Sequence, residues 1–230
     1  MQLFEKLKGY IEEFKYPLFK DSALPHRYFK KLYEELDGLM FYAMLRHFKP
    51  KRVIEIGSGH STKLACDAIC KNKNNGNITC IEPYHSSILE QLPITLIKKR
   101  VEECPLQLFD QLEKNDLLFI DSSHVIKPYG DVLYEYLNIL PRLKPGVMVH
   151  IHDIFLPYDY PKEWIEKERR PYTKQWFLAA LLHNNKDWNI LFSCFYFFKT
   201  YQDLIQKSLA PFNLHSHASS LPSSFWIEKK

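Results

Sequence analysis

Residues 53–62, VIEIGSGHST, decide the fold that this sequence predicts. A short β-branched run at residues 53–56 leads into Gly57 and Gly59, and a helical pattern begins at Ser61. Glycine lets a backbone approach a ligand closely, and a helix start presents free N–H groups. The turn therefore predicts a site for an anionic or nucleoside ligand, with a purely structural tight turn as the alternative.

Strands and helices alternate on both sides of this turn. A helical period runs over residues 27–48 and ends before Pro50. Further strands are predicted at residues 77–81, 94–97, 116–120, 146–151, 188–192 and 224–227, and further helices at residues 61–70, 106–113, 131–140, 173–183 and 202–208. Apolar strands such as LLFI are typical of a parallel sheet with helices on both faces. The predicted fold class is α/β, a doubly wound, mostly parallel sheet.

Composition excludes several classes of protein. The 230 residues are 46% apolar and 25% charged, which indicates a globular chain with a full core. The net charge of +4 comes from short, scattered basic clusters, so nucleic acid is not the expected partner. Five cysteines are an odd number and suggest reduced thiols, not a disulfide framework. The longest apolar run, residues 190–198, is too short to cross a membrane, and a soluble, cytoplasmic protein is expected.

An acid follows the second predicted strand. Glu82 stands 23 positions after Gly59, where an acid accepts hydrogen bonds from ribose hydroxyls in dinucleotide-binding folds. A dinucleotide fingerprint needs a third small residue at the position of Thr62, so a nicotinamide cofactor is disfavoured. The two features together predict a ligand that carries a ribose.

The turn resembles the first motif, E-x-G-x-G, of the class I S-adenosylmethionine-dependent methyltransferases, with Glu55, Gly57 and Gly59 in the matching positions. Glu82 matches the acid of their second motif. The resemblance covers roughly residues 35–230, and it implies a seven-stranded, Rossmann-like sheet and S-adenosylmethionine as cofactor. Residues 1–34 are then expected to form an N-terminal helical cap or extension, with the methyltransferase domain in residues 35–230.

The resemblance also implies roles for individual residues. Gly57 and Gly59 would line the methionine part of the cofactor, Glu55 would organise its amino group directly or through water, and Glu82 would hold the ribose. The other residues implied to face the cofactor are Ser58, His60, Ser61, Thr62, Val101, Glu102 and Asp121. Val101 and Glu102 would lie on the adenine side; the alternative is that residues 100–103 form a solvated turn.

Acids and imidazoles follow the fourth and fifth predicted strands. Asp121 ends the fourth strand, and His152 and Asp153 end the fifth. This pattern resembles the metal-dependent small-molecule O-methyltransferases, which implies Asp121, His152 and Asp153 as ligands of a divalent cation. The family usually has two oxygen ligands after the fifth strand, and His152 departs from that pattern. An imidazole favours manganese, iron or zinc over magnesium, unless His152 lies outside the metal shell; a helix cap is the alternative for Asp121.

His124 lies three residues beyond Asp121, where the same resemblance implies a general base. A histidine can accept the proton of an acceptor hydroxyl at neutral pH, while a metal lowers the pKa of that hydroxyl. The expected catalytic residues are therefore His124 and Asp121. The alternative for His124 is a ring that caps the turn at residues 127–131.

The predicted function is O-methylation of a small hydroxylated metabolite, a sugar or a natural-product intermediate. Five aromatic residues after Asp153 are candidates for the wall of an acceptor site or for the core: Tyr158, Tyr160, Trp164, Tyr172 and Trp176. The alternatives are a regulatory protein that binds S-adenosylmethionine or a nucleoside without chemistry, and then an NAD-dependent oxidoreductase. A homodimer through the N-terminal segment is left open, and neither a nucleic acid nor a membrane is expected as partner.

Overall fold

A computed structural model describes residues 1–14, 35–209 and 221–230. Its strands are β1 (Arg52–Ile56), β2 (Asn77–Ile81), β3 (Thr95–Ile97), β4 (Leu117–Ile120), β5 (Met148–Ile151), β6 (Trp188–Ser193) and β7 (Phe225–Lys229). Its α-helices are α1 (Gln2–Glu13), α2 (Glu35–Phe48), α3 (His60–Asn72), α4 (Asp131–Tyr134), α5 (Lys162–Glu166), α6 (Lys174–Leu182), α7 (Cys194–Thr200) and α8 (Gln202–Leu209).

The strands form one seven-stranded sheet in the order β3-β2-β1-β4-β5-β7-β6. Strands β1 to β5 are parallel, and β7 runs antiparallel to both β5 and β6. Every residue of β4 and β5 is buried, as expected for strands covered on both faces. The prediction of a doubly wound, mostly parallel α/β sheet with seven strands is confirmed.

The two faces of the sheet carry separate cores. Successive residues of β4 alternate between them, since Leu118 packs in one core and Phe119 in the other. The core around Phe119 also contains apolar residues of α1, α2, α3 and α7, whereas the core around Leu118 includes residues of α6 and of the segment that starts at α4. The N-terminal helix predicted from the sequence is therefore present, and α1 buries Phe4, Leu7 and Ile11 in the first core.

Several boundaries differ from the prediction. The predicted helix at residues 106–113 is a 3₁₀ segment, Leu106–Gln111, and the one at residues 131–140 divides into α4, a π-helical segment Glu135–Ile139 and a 3₁₀ turn Leu140–Arg142. The part of the predicted helix at residues 27–34, and with it the proposed domain boundary, lies outside the described residues. Among the described helices, none combines the length and apolar character that crossing a membrane requires.

Backbone hydrogen bonds extend the parallel ladder past the ends of the strands. Gly57 donates to Ile81, Asp121 donates to Ile56 at 2.8 Å, and His152 donates to Ile120 at 3.0 Å. The residues that follow β1, β4 and β5 are thereby held side by side at the carboxyl edge of the sheet. The strand order reverses between β1 and β4, which is where ligands bind in open α/β sheets.

Candidate active site at the carboxyl edge of the sheet

The two glycines of the turn after β1 meet different surroundings. Gly57 has a φ of +79°, and a Cβ atom there would overlap the backbone carbonyl group of Asp121. Gly59 has an extended φ of −171°, and a Cβ atom there would meet nothing within 4 Å. The close approach of β1 to β4 thus requires glycine at position 57, whereas Gly59 borders open space.

Glu55 is buried beneath the turn. Its carboxylate accepts hydrogen bonds from the hydroxyl groups of Ser61 and Thr62, the second at 2.6 Å, and from the Cys80 thiol at 3.5 Å. Thr62 Oγ1 also accepts from the Gly59 N–H at 3.1 Å. Burial raises the pKa of Glu55 to about 7. These side chains fix the start of α3 from inside the protein.

This arrangement differs from the roles that the resemblance implies. Glu55 has no exposed surface, and the Ser61 and Thr62 hydroxyl groups are directed to its carboxylate, not to a ligand. A buried carboxylate requires hydrogen-bond donors, and here the Ser61 and Thr62 hydroxyl groups are those donors. Among the other residues predicted at the turn, Ser58 and His60 are half-buried.

A cavity of about 530 Å³ opens beside the turn. Its lining includes five of the predicted cofactor residues: Gly57, Glu82, Val101, Glu102 and Asp121. The Glu82 carboxylate accepts from the Ser58 N–H at 3.2 Å and from the Tyr84 N–H at 2.8 Å, which fixes its orientation at the wall of the cavity. The side chains of Tyr84 and Tyr129 also line it and are largely exposed.

Asp121, His152 and Asp153 form a cluster whose candidate ligand atoms all lie within 4.8 Å of one another. His152 Nδ1 is 3.6 Å from Asp121 Oδ1 and 3.5 Å from Asp153 Oδ1. Two ligands bonded to one transition-metal ion at about 2.1 Å are separated by roughly 3.0–3.4 Å in tetrahedral or octahedral geometry. The donor set of two carboxylates and one imidazole therefore fits a divalent cation, and these three predicted ligands are brought together.

Nearby carboxylates favour the charged form of the His152 imidazole. Burial disfavours a charged imidazole, but the carboxylates of Asp121 and Asp153 outweigh this effect and raise the pKa of His152 well above its usual value. Its other nitrogen, Nε2, is 3.5 Å from Asp37 Oδ2. His152 thus lies between carboxylates on both sides of the ring, as a ligand with an outer carboxylate partner does.

His124 joins the same cluster from the loop after β4. Its Nε2 is 3.4 Å from Asp153 Oδ2 and 3.7 Å from Asp121 Oδ1, and its ring lies 4.4 Å from that of Tyr172. Burial lowers the pKa of His124 well below its usual value. His124 and Asp153 both have positive φ, 65° and 54°, and such backbone strain concentrates at functional sites. The predicted pair of His124 and Asp121 is therefore brought together.

Lys174 was not predicted from the sequence. Its side chain at the start of α6 is fully buried, and its Nζ has no hydrogen-bond partner within the described part of the chain. Burial lowers its pKa, and nearby carboxylates oppose that effect; they belong to Asp121, Asp153, Glu135 and Asp131. A lysine in the first turn of a helix ordinarily faces water, so the sequence carries no signal for this position.

The aromatic residues after β5 divide between packing and exposure. Tyr160 is buried with Phe155 and Phe195, and Trp164 and Tyr172 pack against this group. Tyr158 and Trp176 are exposed. Packing thus accounts for three of the five candidates for an acceptor wall, although Tyr172 also contacts His124.

Comparisons with known proteins agree with this geometry. Residues 54–154 match a family described as a methyltransferase domain. An uncharacterized protein of Archaeoglobus fulgidus is 34% identical over 119 residues, which are 48% of this chain and 54% of that protein. The chain therefore spans about half the length of this curated relative.

Solved structures share the fold at low sequence identity. The SAH-bound methyltransferase PaMTH1 of Podospora anserina has a TM-score of 0.55 and 18% identity, over 100% of this chain and 96% of that one. Cofactor-bound Rv0187 from MTB has a TM-score of 0.51 and 10% identity, over 99% and 89%. The plantazolicin methyltransferase BpumL, in complex with SAH and a monoazolic desmethylPZN analogue, has a TM-score of 0.51 and 14% identity, over 98% and 90%.

The matched residues, 54–154, include most of β1, the glycine turn, β2 to β5 and the acid–imidazole cluster. The described chain also has the sheet order of this fold, with a cavity where the strand order reverses between β1 and β4. Residues 54–154 therefore resemble a methyltransferase domain, and the chain has the fold of the class I S-adenosylmethionine-dependent methyltransferases.

Proposed function

We propose that this chain transfers a methyl group from S-adenosylmethionine to a hydroxyl group of a small acceptor, with a divalent cation held by Asp121, His152 and Asp153. The observation that carries the proposal is the position of Asp121. This residue lines the cavity beside the glycine turn and is also a member of the acid–imidazole cluster. Cofactor and acceptor would thus meet at one side chain.

The cavity supports the cofactor assignment. Glu82 is held at its wall by two backbone N–H groups, and we propose that its carboxylate accepts hydrogen bonds from ribose hydroxyls. Val101 and Glu102 line the same cavity and are proposed to contact the adenine. The open space beside Gly59 leaves room for the methionine part. The SAH bound in PaMTH1 and BpumL agrees with this assignment at the level of the fold.

The chemistry requires orientation, exclusion of water and removal of one proton. When bound, S-adenosylmethionine supplies an electrophilic methyl group on a sulfonium, and a divalent cation lowers the pKa of the acceptor hydroxyl. His124 takes the hydroxyl proton at Nε2, the nitrogen that faces the cluster. Asp121 and Asp153 stabilise the imidazolium that forms, because their carboxylates lie 3.4–3.7 Å from that nitrogen. Tyr172 covers the His124 ring and limits its access to water.

Isothermal titration calorimetry with the demethylated cofactor tests the proposal. We expect micromolar binding by the wild-type chain and loss of binding in Gly59→Arg, whose side chain fills the space beside the turn. The melting temperature of Gly59→Arg should stay close to wild type, because no protein atom lies within 4 Å of the Cβ position. Absence of binding by the wild-type chain would overturn the proposal.

Turnover tests the catalytic half of the proposal. With Mn²⁺ present, the release of demethylated cofactor is measured over a panel of phenols, catechols, sugars and hydroxylated macrolides. His124→Ala should bind the demethylated cofactor as the wild type does and lose at least about a hundredfold in kcat, the usual contribution of a general base. Unchanged turnover in this variant would remove His124 from the role of base.

A further inference from the structure

Asp37 is a buried carboxylate at the start of α2, distant in sequence from the ends of β4 and β5. It has no exposed surface. Its two oxygens accept hydrogen bonds from the backbone N–H groups of Ser223 at 2.7 Å and Ser224 at 3.0 Å, in the segment that leads into β7. The orientation of the Asp37 carboxylate is therefore fixed by the backbone of another part of the chain.

The same carboxylate faces His152. Asp37 Oδ2 is 3.5 Å from His152 Nε2, whereas His152 Nδ1 faces Asp121 and Asp153. The hydrogen-bond partner of one imidazole nitrogen decides which nitrogen is left to bind a metal. Asp37 therefore favours a proton on Nε2 and presents Nδ1 to the cluster.

Ser223 strengthens this connection. Its hydroxyl group donates to Asp153 Oδ1 at 3.1 Å and lies 3.5 Å from His152 Nε2. Asp37 holds the backbone of Ser223, and the side chain of Ser223 reaches both residues that follow β5. Two of the three candidate metal ligands are thus oriented by contacts that begin at Asp37.

We propose that Asp37 is a positioning residue that makes the cluster a site of one imidazole nitrogen and two carboxylates, selective for Mn²⁺ over Mg²⁺. This inference rests on the metal site of the proposed function and deepens it. Magnesium prefers an octahedron of oxygen ligands, whereas imidazole suits the first-row transition metals. Loss of a carboxylate behind a ligating histidine typically weakens metal binding by 10- to 100-fold.

The test measures Mn²⁺ binding without any acceptor or turnover. Free Mn²⁺ is followed by electron paramagnetic resonance, and Mg²⁺ affinity is obtained by competition. We expect the wild-type chain to bind Mn²⁺ at least tenfold more tightly than Mg²⁺, with ¹⁴N coupling to the bound metal in pulsed spectra. Asp37→Asn should weaken Mn²⁺ binding by 10- to 100-fold.

Asp116 offers a matched control. It is also a buried aspartate whose carboxylate accepts from backbone N–H groups, those of Lys51 at 3.0 Å, Arg52 at 2.9 Å and Glu113 at 3.0 Å, but it precedes β4 at the opposite edge of the sheet. Asp116→Asn should keep the Mn²⁺ affinity within about twofold of wild type. Equal Mn²⁺ affinities in Asp37→Asn and Asp116→Asn would overturn the role of Asp37.

A second variant covers the case in which Asp37→Asn does not fold. His152→Asp converts the cluster to three carboxylates, and it should remove the ¹⁴N coupling and lower the preference for Mn²⁺ over Mg²⁺ at least tenfold. An unchanged preference would overturn the inference, as would a wild-type chain that binds no Mn²⁺. Calorimetry with the demethylated cofactor on the same proteins reports separately whether the methyltransferase assignment stands.

Discussion

Gly57 and Gly59 belong to one short motif, yet they serve different purposes. The sequence predicts both as cofactor contacts, because glycine at a strand-to-helix turn allows close approach of a ligand. The structure adds a second reason for Gly57, which lies against the backbone of Asp121. That reason involves a neighbouring strand 64 positions away, and no local pattern reports it.

Gly57→Ala should therefore destabilise the protein itself. The added methyl group overlaps the Asp121 carbonyl group, and alanine disfavours a φ of +79°. Strain of this kind costs about 2–3 kcal/mol in the free energy of unfolding. Urea denaturation of Gly57→Ala and Gly59→Ala measures the difference, and we expect Gly59→Ala to lie within about 1 kcal/mol of wild type. Equal loss in the two variants would contradict the division of roles.

The raised pKa of Glu55 predicts that the stability of the protein depends on pH. Its pKa in the folded protein is about 7, raised chiefly by burial, while an exposed glutamate titrates near 4.5. Because the folded pKa is the higher one, the contribution of Glu55 is fully present below pH 4.5 and is lost as the pH rises through 7. The total loss amounts to about 3 kcal/mol.

The comparison with Glu55→Gln isolates this contribution. The free energy of unfolding is measured for both proteins by urea denaturation at pH 4.5, 6 and 8. We expect the difference, wild type minus Glu55→Gln, to fall by about 3 kcal/mol from the lowest to the highest pH. A difference that stays constant over this range would show that Glu55 titrates as an exposed acid.

At the scale of elements, local patterns predict the parallel strands well and the irregular helices poorly. Strands β1, β2, β4 and β5 follow from short apolar runs with glycine or polar residues at their ends. The π-helical segment Glu135–Ile139 has no sequence signature; it begins at buried Glu135, whose carboxylate accepts a hydrogen bond from the Ser122 hydroxyl group at 3.1 Å. Helix α7 is not predicted, because the apolar run at residues 190–198 extends from β6 into the helix and is interrupted only by Ser193.

Ser193 caps α7 and marks the boundary between β6 and α7 within the apolar run at residues 190–198. Ser193 Oγ accepts from the Tyr196 N–H at 3.3 Å and donates to the Leu156 carbonyl group at 2.9 Å. Ser193→Ala should reduce the free energy of unfolding by about 1 kcal/mol, as loss of a helix cap does. Ser193→Thr keeps the hydroxyl group and serves as control in the same urea titration. An alanine variant as stable as the threonine variant would show that the cap contributes nothing.

At the scale of the molecule, the candidate site joins segments that are far apart in the chain. Asp37 from the start of α2, Asp121 and Asp153 from the loops after β4 and β5, and Ser223 before β7 meet around His152. The sequence predicts the site residues that follow β4 and β5, because ligands bind at the carboxyl ends of parallel strands. It cannot predict that Asp37 contacts His152 or that Lys174 is buried beside the carboxylates, because both depend on the packing of α2 and α6 against the sheet.

This convergence predicts that a cation at the cluster stabilises the contacts between the start of α2 and the segment before β7. At 100 times its Kd, Mn²⁺ should raise the free energy of unfolding by about 2.7 kcal/mol. The melting temperature should rise by roughly 5–10 °C for a protein of this size. Hydrogen exchange should slow at Ser223 and Ser224, whose N–H groups are bound by Asp37. In Asp37→Asn, Mn²⁺ should no longer slow exchange at Ser223 and Ser224. If Mn²⁺ slowed exchange in the wild-type chain only in the loops after β4 and β5, the metal would not strengthen the contacts of Asp37, and the prediction would be wrong.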